Sequence, residues 1–191
     1  MKIYFTASLR GKSNYESNYN LIVGELTKVG AKVYCEHIME SNAKEVGSQS
    51  SDQAKNVYKK LIKEIKRSDV FVAEVSTQSL SVGHEITEAI NMNKPVILLY
   101  TGGINNRPGL LFGADYQKLQ IIEYTVDNLS EKVVSFIEEA KKNTDIRFNF
   151  FVSPKILAYL DWVAKTKKLP RAVFLRELIE KEMRKDKEFR E

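Results

Sequence analysis

The residues best suited to chemistry fall in three polar stretches, each at the end of an apolar run. Ser79–Glu85 (SLSVGHE) follows the run DVFVAEV and opens a helical pattern. Backbone N–H groups at a helix start, with serine hydroxyls such as Ser79 nearby, favour an anionic group such as phosphate. Gly83 permits close approach of a ligand to the chain. Glu85, read as lying in the first helical turn, has a carboxylate favoured by the helix dipole, and it is the leading candidate for a catalytic group. A helix cap at Ser79 and a plain N-terminal charge at Glu85 fit the same pattern.

The second stretch, Ser8, Leu9, Arg10 and Gly11, is a turn after the first strand. Arginine binds phosphate through a planar fork of donors, although a surface arginine in a loop is common. Tyr4 stands four residues before Ser8, inside the strand. Its buried hydroxyl needs a partner, whether a catalytic carboxylate or any other acceptor. The third stretch holds His37, one of two histidines, at the end of CEHI. A lone histidine is more often a structural hydrogen bonder than a ligand.

Several classes are excluded. Two histidines and one cysteine leave no metal-site spacing, and no cofactor is expected. The GxxxxGK[ST] and GxGxxG phosphate loops are absent, and no Ser-His-Asp or Cys-His set can be assembled. A single cysteine, Cys35, rules out a disulfide framework. The start MKIYFTASLRGK has no signal-peptide pattern, and no run approaches the roughly 18 apolar residues of a membrane span. A cytoplasmic protein with no membrane partner is expected.

These stretches must be held by a regular scaffold. MKIYFTASL reads as strand one; residues 15–29 form a helix with Leu21, Ile22, Leu26 and Val29 on one face, stopped by Gly30. AKVYCEHI reads as strand two, and residues 41–53 as a polar, mobile loop. AKNVYKKLIKEIKRS is amphipathic, with Val57, Leu61, Ile62 and Ile65 on one side. DVFVAEV has the near-continuous apolar character of a strand covered on both faces. HEITEAINMN is helical, KPVILLY and LQIIEYT are strands, and SEKVVSFIEEAKKN is a closing helix capped by Ser130. The alternation predicts an α/β fold, a doubly wound parallel five-stranded sheet whose ligands bind at the carboxyl ends of the strands.

The last quarter differs. Up to Asp145, 18 basic residues balance 18 acidic ones, whereas Ile146–Glu191 carries 12 against 7. The shift marks a boundary and, beside a solvated basic helix, a tail suited to an acidic partner such as DNA. Two domains are expected, residues 1–142 and 146–191. The tail reads as one strand (Ile146, Phe148, Phe150 and Val152 on one side) and two helices. Ser153 and Pro154 open the first helix, and Leu160, Trp162, Val163, Phe174, Leu175 and Ile179 form the core. This order resembles a ribbon-helix-helix module, which implies paired copies, because 40-odd residues bury too little surface alone.

YFTASLRG, CEHI, SDVFVAEVSTQSLSVGHEI and NKPVILLY, in this order, resemble the nucleoside 2-deoxyribosyltransferase superfamily, in particular its 2′-deoxynucleoside 5′-phosphate N-hydrolase branch. The resemblance covers residues 1–140 or so. It implies a flavodoxin-like domain that forms homodimers or higher even oligomers, each active site touched by the neighbour. It also implies cleavage of the N-glycosidic bond of a deoxynucleotide or deoxynucleoside. The family nucleophile falls on Glu85 and its orienting tyrosine on Tyr4. The phosphate turn falls on Ser8, Leu9, Arg10 and Gly11, the phosphate serine on Ser79, and the second-strand histidine on His37. The serine given by the neighbouring subunit falls near Gln117. Two positions depart: a glutamine, Gln117, stands near where that serine falls, and the family aspartate falls on Leu61, flanked by Lys60, where leucine neither protonates a base nor hydrogen-bonds a sugar. General acid assistance is typically worth about 10² to 10⁴ in rate; Asp52, Glu64 or Glu36 would have to replace it. Three outcomes stay open: hydrolysis, base exchange, and nucleotide sensing without catalysis coupled to a dimerising or DNA-binding tail.

Overall fold

The computed structural model describes residues 1–114, 116–142, 151–167 and 169–186. The chain divides into two compact units, Met1–Asp145 and Ile146–Glu191. In the first, the order is β1 (Lys2–Ala7), α1 (Lys12–Lys28), β2 (Lys32–Tyr34), α2 (Glu36–Met39), α3 (Ala43–Gly47), α4 (Ser51–Arg67), β3 (Val70–Glu74) and α5 (Leu80–Asn91). β4 (Val96–Tyr100), α6 (Gly109–Phe112), β5 (Leu119–Glu123) and α7 (Leu129–Lys142) follow. All five strands are parallel, in the order β2-β1-β3-β4-β5. This is the flavodoxin-like, doubly wound sheet expected from the alternation, and its order reverses between β1 and β3.

Strand alternation assigns side chains to two separate cores. Ile3, Phe5, Ala7, Val70, Val72, Ile97 and Leu99 pack with α1 and α7 on one face. Tyr4, Phe71, Ala73, Val75, Val96 and Leu98 pack with Ile65 of α4 and Val82, Ile86 and Ala89 of α5 on the other. Because Tyr4 is out of phase with its neighbours Ile3 and Phe5, it alone of the three points toward α5.

Several element boundaries differ from the sequence reading. β2 stops at Tyr34, and His37 lies on the helical turn α2 rather than in a strand. The ammonium of Lys12 explains this, since it takes up the carbonyls of Ile38, Met39 and Ser41 at 3.0, 2.7 and 3.1 Å. A cation on the free carbonyls at a helix end stabilises the turn. The expected loop 41–53 contains α3, capped by Asn42 accepting from Glu45 N at 2.9 Å, and the start of α4. There Ser50 and Gln53 form a reciprocal capping box. α1 begins at Lys12, three residues early, and α7 begins at Leu129, which places Ser130 inside the helix.

In the second unit, α8 (Pro154–Thr166) is capped by Ser153, and α9 (Arg171–Met183) follows. Leu160, Val163 and Phe174 are buried and Leu175 packs against them. Trp162 and Ile179, expected in the core, are exposed. The expected strand falls largely on residues 143–150, outside the described residues; Phe151 and Val152 carry no strand. Among the described residues, no helix is long and apolar enough to cross a membrane.

Candidate active site

The carboxyl ends of β1 and β3 bring together residues far apart in sequence. The hydroxyl of Tyr4 donates to Glu85 Oε2 at 3.0 Å, although 81 residues separate them. His37 Nε2 lies 3.1 Å from the same hydroxyl and 3.9 Å from Glu85 Oε2. A hydroxyl has one proton. With that proton on the carboxylate, His37 Nε2–H must be the donor to the Tyr4 oxygen, so the imidazole proton sits on Nε2. The bare Nδ1 is buried and has no hydrogen-bond partner among the described residues. The chain therefore runs His37 to Tyr4 to Glu85.

Aromatic packing fixes this chain in place. The Tyr4 ring stacks on Tyr34 at 5.5 Å and on Phe71 at 5.4 Å, and Tyr34 stacks on His37 at 5.3 Å. Burial and then the Glu85 charge push the Tyr4 hydroxyl well above the usual phenol range, so it stays protonated and keeps its proton on the hydrogen bond to Glu85. Burial pushes Glu85 above its ordinary value, while the Thr6 and Tyr4 hydroxyls pull it back. Thr6 Oγ1 makes no well-formed hydrogen bond, yet it lies close enough to favour the ionised carboxylate. Burial, followed by the charge of Lys60, lowers His37 to about 4, so the ring is neutral at neutral pH.

Glu85 does not lie in the first turn of its helix. α5 begins at Leu80, with Ser79 as its cap accepting from Val82 N at 3.5 Å, so Glu85 stands in the second turn. The macrodipole falls off within one turn, and the hydroxyls rather than the dipole favour the charge. Ser79 is thus the helix cap, as the plainer reading had it. Gly83 lies inside α5 rather than in a loop, and a Cβ there would meet open space.

The turn after β1 is tightly built. Gly11 N donates to the Ser8 carbonyl at 3.0 Å and is shared with Ser8 Oγ at 3.3 Å. A Cβ on Gly11 would lie 2.5 Å from Thr77 Oγ1 and 3.0 Å from the Tyr19 hydroxyl. This places the 8–11 turn directly against the loop that leads to Ser79. Arg10 is exposed and Leu9 half-buried at the same edge. Gln117 precedes β5 at the edge where the strands begin, so one chain alone does not bring it to this site.

Leu61 packs against the cluster of Tyr4, Phe71, Val82 and Ile86, an apolar contact where the resemblance implies an acid. Of the three substitute acids, Asp52 is exposed and paired with Lys55 at 3.1 Å. Glu36 accepts from the neighbouring Cys35 N at 3.1 Å. Glu64, bonded to Arg67 at 3.3 Å, is the one whose charge acts on both Tyr4 and Tyr34. The Lys60 ammonium stands 5.9 Å from the Tyr34 ring centroid. Two features were missed in the sequence: the buried acid Glu74 and the tyrosines around it, Tyr19 and Tyr124. The carboxylate of Glu74 inside the otherwise apolar run VFVAEV was the available signal.

A parallel sheet with a buried carboxylate held by a tyrosine at its switch point defines a flavodoxin-like α/β protein. A solved structure with this fold is the CMP N-glycosidase of Clostridium botulinum, at a TM-score of 0.50 and 19% identity, covering 70% of this chain and 98% of that one. No family model matches the chain. A Syntrophotalea carbinolica protein, provisionally named 2′-deoxynucleoside 5′-phosphate N-hydrolase 1, is 35% identical over 132 residues, 69% of this chain and 88% of its own. The 5-hydroxymethyl-dUMP N-hydrolase of Danio rerio is 31% identical over 147 residues, 75% of this chain and 100% of its own. The chain belongs to the 2′-deoxynucleoside 5′-phosphate N-hydrolase family.

Proposed function

We propose that this protein hydrolyses the bond between base and sugar in 2′-deoxynucleoside 5′-monophosphates, with Glu85 as nucleophile. The observation that carries the proposal is the 3.0 Å hydrogen bond from buried Tyr4 to buried Glu85 at the carboxyl edge of the sheet. Glu85 attacks C1′, the C1′–N bond breaks, and its electron pair leaves with the base, which takes up a proton. Water then cleaves the glycosyl ester. This is double displacement through a carboxylate, as in retaining glycosidases. Tyr4 orients the carboxylate and His37 orients Tyr4. The donors of Ser8 and Arg10, in a turn that Gly11 keeps tight and Leu9 flanks, bind the 5′-phosphate together with that of Ser79; Gly83 lies on the helix that Ser79 caps. Arg10 and the two loop serines favour a phosphorylated substrate, and so hydrolysis over base exchange.

Incubation with each deoxynucleoside monophosphate, read as free base by chromatography, tests the proposal. Base released equally by the wild type and Glu85→Ala would overturn the mechanism.

A second function is favoured by Leu61, whose apolar packing supplies no acid for the leaving base. On this alternative the pocket binds a deoxynucleotide without turnover and the basic tail dimerises or contacts DNA. Ligand-dependent thermal stabilisation with no base released from any substrate supports it. DNA affinity that is insensitive to salt contradicts phosphate contacts by the tail. We assign the protein to the cytoplasm as a homodimer or higher even oligomer, in which Gln117 of one chain reaches the other's site. Sedimentation tests the assembly.

A further inference from the structure

Glu85 is not the only buried acid. Glu74, the last residue of β3, is fully buried at 0% exposure, where its neighbours are valine, phenylalanine and alanine. It pairs in register with Ala7 of β1 and Leu99 of β4. Alternation with Val70 and Val72 turns it to the α1/α7 face, away from Glu85. A buried carboxyl is costly unless its hydrogen bonds repay the lost hydration, and the fold alone gives no reason for one here.

Its contacts supply the reason. Oε1 accepts from Ser76 Oγ in a short bond, from Ser76 N at 3.3 Å and from the Tyr124 hydroxyl at 3.3 Å. Ser76 Oγ in turn accepts from Thr101 N at 2.8 Å. One carboxyl oxygen therefore ties the chain after β3 to the chain after β4 and to Tyr124 beyond β5. The link continues toward β1. Thr77, the residue after Ser76, lies against Gly11, which is wedged between it and Tyr19, and the Tyr19 hydroxyl donates to the Ser8 carbonyl at 3.0 Å. Burial raises Glu74 above its ordinary value despite these bonds, and its Oε2 has no hydrogen-bond partner among the described residues.

We infer that Glu74 is the positioning residue of the phosphate site: through Ser76 and the adjoining Thr77, which abuts Gly11, it sets the spacing between the Ser8–Gly11 turn and the Ser76–Ser79 loop. Donors on both sides then converge on one phosphate group. This rests on the phosphate role proposed above for those two segments.

The test uses Glu74→Ala, Glu74→Gln and Ser76→Ala in the full chain, with two readouts. One is thermal stabilisation by inorganic phosphate, which needs no turnover; the other is the split between KM and kcat for a deoxynucleoside monophosphate. Displacing positioning groups by about an ångström costs on the order of a hundredfold. Glu74→Ala is therefore expected to lose phosphate stabilisation and to raise KM about tenfold to a hundredfold, more than kcat falls. Glu74→Gln, which keeps the oxygen facing Ser76 and Tyr124, restores both. Should Glu74→Ala fail to fold, Ser76→Ala takes its place with the same expected direction. Phosphate stabilisation and KM unchanged in the folded variant overturn the inference, as does a wild type that phosphate does not stabilise. A wild type that phosphate stabilises but that releases no base overturns only the hydrolase proposal.

Discussion

Replacing Tyr4 by phenylalanine removes one oxygen from the centre of the site and leaves its shape. The ring stays stacked between Tyr34 and Phe71, but Glu85 Oε2 loses the donor at 3.0 Å. A hydrogen bond to a charged group is worth about 1.5 to 3 kcal/mol. Glu85, already raised by burial, therefore rises further. The acidic limb of the rate profile is expected to move to higher pH, because the nucleophile must be ionised. At neutral pH, kcat/KM falls about tenfold to a hundredfold. Stability follows the same proton. A carboxyl whose folded pKa lies above its unfolded value costs nothing below the unfolded value of about 4.5. The cost grows as pH rises from there to the folded pKa and is complete above it. The Tyr4→Phe penalty in melting temperature should therefore widen as pH is raised from 4.5. Base release across pH 5 to 9 or so, with parallel melting curves, measures both effects. An acidic limb that stays in place while the rate falls would refute the proposed coupling of Tyr4 to Glu85.

His37, lowered from 6.5 to about 4, is neutral in the fold and protonates on unfolding. Its contribution to stability is lost as pH falls from 6.5 to about 4, reaching about 3 kcal/mol. His37→Gln should lack that part of the pH slope in denaturant titrations, and an NMR titration placing His37 near 6.5 would contradict its burial. Gly11→Ala puts a methyl carbon 2.5 Å from Thr77 Oγ1. Overpacking costs about 1 to 3 kcal/mol, so melting temperature and phosphate stabilisation should both fall, and Thr77→Ser in the same chain should restore little because Thr77 Cβ stands 2.7 Å away. A Gly11→Ala variant that binds phosphate as the wild type does would contradict the close turn.

Much of the fold was legible because strand and helix periods differ. DVFVAEV and KPVILLY could only be strands buried on both faces, and β3 and β4 lie there. Helix starts were less legible where a cap was overlooked: Ser50 with Gln53 and Asn42 with Glu45 both have the spacing of a side-chain cap. β2 ended early because Lys12, distant in sequence, satisfies the α2 carbonyls, and no local pattern shows that. The site was legible in its members but not in its mechanics. Tyr4 reaches Glu85 because β1 alternation turns it toward α5, whereas the dipole credited to Glu85 vanished once α5 was seen to start at Leu80. Glu74 was passed over because one carboxylate did not alter the apolar character of its run.

The central claim is that Glu85 forms a covalent bond to the sugar. Acid quenching during turnover of a deoxynucleoside monophosphate, followed by peptide mass spectrometry, addresses it directly. A deoxyribose 5-phosphate adduct on the peptide holding Glu85 is expected, absent in Glu85→Gln, whose base release should fall at least about a thousandfold. Undiminished base release by Glu85→Gln, with no adduct in the wild type, would contradict the claim.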